Sequence, residues 1–141
     1  PWGRVKADVY MPCATQNEIG LEDAKRMIEE GTSKLLIEVA NMPTKAEAVE
    51  ELQKAGFMIA PSKAVNAGGV AVSALEMSQN AMKLSWTEEE VDEKLKKIMK
   101  NIFNNIDGAA KKYGMDGNLI AGANIAGFLK VAEAMLNEGI F

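Results

Sequence analysis

Three short polar stretches carry most of the side chains on this chain that could bind or orient a small molecule. They are Thr15-Gln16-Asn17, following Pro12-Cys13-Ala14; Asn41, within Ala40-Asn41-Met42-Pro43; and Asn66, within Lys63-Ala64-Val65-Asn66-Ala67-Gly68-Gly69. Each contains an Asn. A carboxamide both donates and accepts hydrogen bonds, so it suits another amide, a ribose hydroxyl or a carboxylate. Gly68-Gly69 permits close backbone approach to a ligand, and a helix starting there favours an anion nearby. Ser73 follows one turn after Gly69 on a similar helix face. Its hydroxyl either donates to a substrate carboxylate or bonds back to a carbonyl one turn earlier. Asn and Gly are also common turn residues, so each stretch alone reads as an ordinary turn. Three in register point to a site.

Composition removes many other chemistries. The 141 residues include no His and one Cys. There is then no Ser-His-Asp triad, no Cys-His pair, no imidazole metal site and no thiolate zinc cluster. Acid, base or metal chemistry would have to use carboxylates, Lys or Tyr. Cys13 has no evident cationic neighbour in sequence and reads as a small buried apolar residue. Lys63 reads as a solvated surface charge. Neither a G-x-G-x-x-G nor a G-x-x-x-x-G-K-[ST] run occurs, so phosphate binding is not indicated. With 16 Lys plus Arg against 20 Asp plus Glu the formal charge is −4. A pI near 5.0 argues against nucleic acid as a partner. The chain has no run of about 18 apolar residues and no basic-then-apolar leader, so the expectation is a cytoplasmic protein without a membrane span. Its first residue is Pro1, which suggests a processed chain or a piece of a longer one.

The elements that must hold these stretches follow from periodicity and turn residues. Ala7 to Met11, Lys34 to Val39 and Phe57 to Ala60 read as strands. Leu21 to Glu30 reads as a helix with Leu21, Ala24, Met27 and Ile28 on one face, stopped by Gly31. Thr44 and Glu47 read as a capping box for a helix that Gly56 ends. Strand and helix alternating at this spacing predict parallel strands joined by right-handed crossovers. All three polar stretches then lie outside strand carboxyl ends, where ligands of open α/β sheets bind. Beyond Pro61 the strands stop. Ala67 to about Ser85, a helix after the Thr87-to-Glu90 capping box, and Leu119 to Asn137 read as long helices. Val91, Leu95, Ile98, Met99, Ile102, Phe103 and Ile106 form one face of the middle one. Gly122 and Gly127 read as points of close backbone approach. Met77, Met82, Met99 and Met135 read as core filler, and Trp2 and Trp86 as packing anchors. The fold class is therefore α/β: about three parallel strands of a Rossmann-like sheet followed by a C-terminal group of long helices. Residues 1–61 form the sheet portion and 62–141 the helical portion. So small a sheet suggests further strands upstream.

At these stretches the sequence closely resembles the hexameric glutamate dehydrogenases, within the wider glutamate, leucine, phenylalanine and valine dehydrogenase family. The resemblance rests on PCATQNEI (Pro12 to Ile19), ANMPT (Ala40 to Thr44), KAVNAGGVAVSALEMSQN (Lys63 to Asn80) and GANIAGFLKVAEAM (Gly122 to Met135). It implies that the chain is the later part of such an enzyme, with NAD or NADP as cofactor and L-glutamate and 2-oxoglutarate as substrate and product. It also implies a homo-oligomer, hexameric in the family. Ala14, Thr15, Gln16, Asn17, Asn41 and Asn66 match cofactor-side positions. Val70 and Ser73 match positions that contact the amino acid, with Ser73 holding its side-chain carboxylate. Val39, Ser62 and Val65 are mild departures from the commoner family residues. The family's catalytic Lys and Asp and its glycine-rich turn match nothing here. The resemblance thus implies no catalytic residue on this chain, which alone is expected to be inactive. Two rivals are a non-catalytic binding or assembly module and a relative acting on apolar amino acids; Ser73 argues against the latter.

Overall fold

A computed structural model describes residues 1–139. Its sheet rests on two apolar triplets, β1 (Leu35–Ile37) and β2 (Met58–Ala60). They pair in parallel, Leu36 opposite Ile59 and Ile37 opposite Ala60. Helix α1 (Leu21–Glu30) precedes β1, and α2 (Ala46–Lys54) makes the crossover between the strands. Leu36 and Ile59 are buried with Ala24 and Met27 of α1 and Ala48 and Leu52 of α2. Burying an aliphatic side chain contributes about 1.5–3 kcal/mol. A slip of one residue would turn both strand centres away from these helices, so the core sets the register.

The opposite face of the sheet turns towards the long helices. After the short α3 (Ser62–Val65) come α4 (Ala67–Met82), α5 (Glu88–Lys112) and α6 (Leu119–Glu138). Leu35, Ile37 and Met58 face Met99, Ile102 and Phe103 of α5 across an apolar cleft of about 290 Å³. Ile106, the last residue of the predicted α5 face, is buried and joins Ala64, Leu119 and Ala123 in a second core. The Thr87 capping box forms as expected. Thr87 Oγ1 accepts the Glu90 N–H at 3.3 Å, and the Glu90 carboxylate accepts the Thr87 N–H at 2.8 Å. Gly31 ends α1 with φ of 73°, in the left-handed region that favours glycine.

Several expectations are corrected. The Ala7-to-Met11 segment forms no strand, only a single parallel bridge between Tyr10 and Leu36. The two-stranded sheet plus this bridge replaces the expected three strands. The physical reason is local: Ser33 Oγ donates to the Asp8 carbonyl, and Pro12 has no N–H to extend the ladder. Thr44 caps nothing. It is bridged in parallel to Ile19, its hydroxyl is buried without a partner, and α2 is entered through Lys45 instead. Pairing of Lys45 N–H with the Ile19 carbonyl holds the chain extended there. Met77, Met82 and Met135 are exposed rather than core, because the outer faces of α4 and α6 meet nothing among the described residues; Met99 is half-buried. Trp2 does pack, edge-on to Tyr10, whereas half-buried Trp86 lies beneath the Lys94 ammonium. Helix α6 is long and apolar enough, by length and composition, to cross a membrane. Asn124, Lys130 and Glu133 break its apolar run, and α6 packs along α5.

Gly122 and Gly127 separate cleanly. A Cβ at Gly122 would lie 2.1 Å from the Ile106 carbonyl oxygen, while one at Gly127 meets nothing within 4 Å. Gly122→Ala should destabilise the protein by about 1–3 kcal/mol through overpacking. Gly127→Ala should be neutral or stabilising by up to about 1 kcal/mol. Urea titration of both variants reads the difference directly.

Tyr10 donates its hydroxyl to the Glu30 carboxylate at 3.0 Å. Burial, then the Glu30 bond, raises the Tyr10 pKa above its ordinary 10.0. The Thr32 hydroxyl, chiefly, holds Glu30 below its ordinary 4.5. The neutral Tyr10 is favoured in the folded state. Its contribution is complete below the unfolded pKa and disappears as pH rises through the raised one. Glu30 behaves oppositely, contributing above its unfolded pKa and losing this as pH falls through the lowered one. The parent protein should lose stability as pH rises above 10, and Tyr10→Phe should flatten that loss, measured as urea midpoints against pH.

Candidate functional site

Parallel pairing brings the carboxyl ends of the strands to one rim. From β1 the chain continues as Glu38-Val39-Ala40-Asn41, and from β2 as Pro61 into α3 and Asn66. The Tyr10 segment continues into Pro12 to Asn17. Backbone bonds tie the three together. The Pro12 carbonyl accepts the N–H groups of Val39 (3.1 Å) and Ala40 (2.9 Å). The Met42 carbonyl accepts the Asn17 N–H at 3.0 Å. Asn17 and Met42 both have positive φ, 57° and 45°. Asn tolerates that region, but for Met it costs about 1–2 kcal/mol, which the surrounding bonds must offset.

An open cleft of about 670 Å³ lies between these turns. The first turn contributes Cys13, Ala14 and Gln16, and the second Val39, Ala40 and Asn41. Asn66 and, one turn into α4, Val70 complete the wall. Across it the Asn66 carboxamide donates to the Asn41 Oδ1 at 2.6 Å. Each amide retains further hydrogen-bonding capacity, since one carboxamide offers two N–H groups and two acceptor lone pairs. No charged side chain lines the cleft, and no group of His, Cys, Asp and Glu suited to a metal ion occurs among the described residues. Such a surface can orient a polar ligand through neutral amides.

Of the residues singled out from sequence, Ala14, Gln16, Asn41, Asn66 and Val70 meet in this cleft. Thr15, Asn17 and Ser73 do not line it. The Thr15 N–H donates to the Glu18 carboxylate at 3.3 Å, and Asn17 takes part through its backbone. The exposed Ser73 hydroxyl donates to the Gly69 carbonyl at 3.2 Å, the back-bonded alternative. Lys63 is exposed but partnered, its ammonium donating to Asn124 on α6. Cys13 is exposed, against expectation, with its thiol directed to the Met11 carbonyl at 3.3 Å. The turn after Pro12 carries it out of the sheet. Sequence reading also missed Glu38, only 6% exposed at the end of β1. An acidic residue in an otherwise apolar run was the available signal.

The chain is similar in sequence and fold to known proteins. The family model described as Glutamate/Leucine/Phenylalanine/Valine dehydrogenase matches residues 1–139. An NAD-specific glutamate dehydrogenase of Clostridium symbiosum is 55% identical over 141 residues, covering 99% of this chain and 31% of the relative. An NADP-specific glutamate dehydrogenase of Giardia intestinalis is 55% identical over 132 residues, covering 94% and 29%. A solved glutamate dehydrogenase superposes with a TM-score of 0.92 at 55% identity, over 99% of this chain and 31% of that one. The Plasmodium falciparum enzyme superposes with a TM-score of 0.90 at 49% identity, over 100% and 30%. The chain thus spans about 31% of the length of the first of these relatives, and with the match over residues 1–139 it belongs to the glutamate, leucine, phenylalanine and valine dehydrogenase family.

Proposed function

We propose that this chain forms one wall of the cofactor and substrate cleft of an NAD(P)-dependent glutamate dehydrogenase. The reaction is reversible oxidative deamination: L-glutamate, NAD(P)⁺ and water give 2-oxoglutarate, ammonium, NAD(P)H and a proton. The observation that carries the reading is the Asn41–Asn66 contact across two adjacent strand ends, in a segment about 55% identical to enzymes so named. The bound nicotinamide supplies the hydride acceptor. Gln16, Asn41 and Asn66 have the amide chemistry to hold its ribose and carboxamide, and Val70 forms an apolar side of the same cleft. Ala14 supplies backbone and methyl contact there; Thr15 and Asn17 shape the turn beneath. Ser73, released from the Gly69 carbonyl, would donate to the side-chain carboxylate of glutamate. No Lys, Asp or Glu side chain lines the cleft, so this segment orients the reactants rather than exchanging their protons.

In this reading residues 1–61 face the dinucleotide, and 62–141 lead from it towards the amino acid. Relatives named NAD-specific and NADP-specific are both 55% identical to this chain, and the proposal covers either cofactor. The whole protein is then a cytoplasmic homo-oligomer. The exposed apolar residues of α4 and α6, Met77, Phe128 and Leu136 among them, supply surface for assembly.

In the full-length protein, Ser73→Ala should weaken glutamate binding by about 1–3 kcal/mol while leaving any turnover of leucine unchanged. Asn66→Ala should instead raise the KM for dinucleotide. Steady-state kinetics with glutamate and leucine test both. An unchanged glutamate KM in Ser73→Ala would remove the carboxylate role, and leucine turned over faster than glutamate by the parent protein would favour the apolar-substrate relative.

A further inference from the structure

The two Asn-bearing turns belong to different strands, and nothing in β pairing forces their side chains together. The stitch between them is Ser62, the first residue of α3. Its N–H, one of the donors a helix start leaves unpaired, donates to the Glu38 carboxylate at 3.2 Å. Glu38 is itself buried at the end of β1, and its own N–H donates to the Ala60 carbonyl at 3.0 Å. On the other side, the Ser62 hydroxyl accepts the Met42 N–H at 3.4 Å. Met42 follows Asn41 directly and holds a φ of 45° that a methionine adopts only under constraint. Its carbonyl is fixed by the Asn17 N–H. Ser62 is also bonded forward, its carbonyl accepting the Asn66 N–H at 2.9 Å. One residue thus touches the Asn41 turn through its hydroxyl, the end of β1 through its N–H, and Asn66 through its carbonyl.

We propose that Ser62 is a positioning residue of the cleft, with buried Glu38 as its anchor, setting the separation of Asn41 and Asn66 that the dinucleotide meets. The inference rests on the dinucleotide reading given above. Ser62 lines no part of the cleft and acts only through the turns it joins.

The test uses the full-length protein and two readouts. Hydrogen exchange of the ligand-free protein, followed on the peptide spanning residues 39–44, should be faster in Ser62→Ala. NADH or NADPH affinity should weaken about three- to tenfold, with the dinucleotide KM rising in proportion and kcat within about twofold. Ser62→Thr, which retains the hydroxyl acceptor, should restore both. Unchanged exchange in Ser62→Ala would show that no latch exists, and unchanged affinity with faster exchange would show that the latch positions nothing; either result overturns the proposal. A parent protein that binds neither NADH nor NADPH would instead overturn the dinucleotide reading itself.

Discussion

Parallel register between β1 and β2 is the constraint on which the rest depends. Leu36 and Ile59 face α1 and α2 together, and that shared burial fixes where each strand ends. Once both end at the same rim, the residues after Ile37 and after Ala60 leave the sheet side by side. Register brings the two turns within reach of each other, and the Asn41–Asn66 contact joins residues that no local interaction could bring together. The single bridge at Tyr10 adds the third turn to the same rim, and the bifurcated Pro12 carbonyl closes it against Val39 and Ala40.

The chemistry of the cleft follows from what lines it. Neutral amides bind by direction rather than by charge, so they discriminate through geometry and tolerate little displacement. That puts weight on the bonds behind the lining. Glu38, Ser62 and Met42 are not in the cleft, yet they hold the turns that are. A left-handed methionine and a buried carboxylate are both unfavourable alone. Their occurrence within one small bonded group is the mark of a backbone held in place by its surroundings.

The long helices relate to the cleft differently. Helix α5 covers the second face of the sheet, and α6 docks on α5 where Gly122 allows backbone contact. The Lys63–Asn124 bond connects α6 to the short helix that Asn66 follows. Much of α4 and α6 is apolar and exposed. This is an uncommon feature unless such surface meets another surface, and it accords with a chain spanning about a third of its relatives' length.

What could be read from the sequence alone was local. The α1 limits, the Gly31 stop and the Thr87 capping box depend on bonds spanning three or four residues, so neighbouring side chains determine them. The positions of the Asn-bearing turns after apolar runs were legible for the same reason. Tertiary structure decided the rest. It turned Thr44 from a helix cap into a bridge to Ile19, 25 residues away, and exposed Cys13 and three methionines whose types suggested burial. It chose the back-bonded state of Ser73, and it selected Asn41 and Asn66, rather than Asn17, to meet. Burial and side-chain pairing depend on which distant segment arrives alongside, and the residue types of one segment do not encode its neighbour.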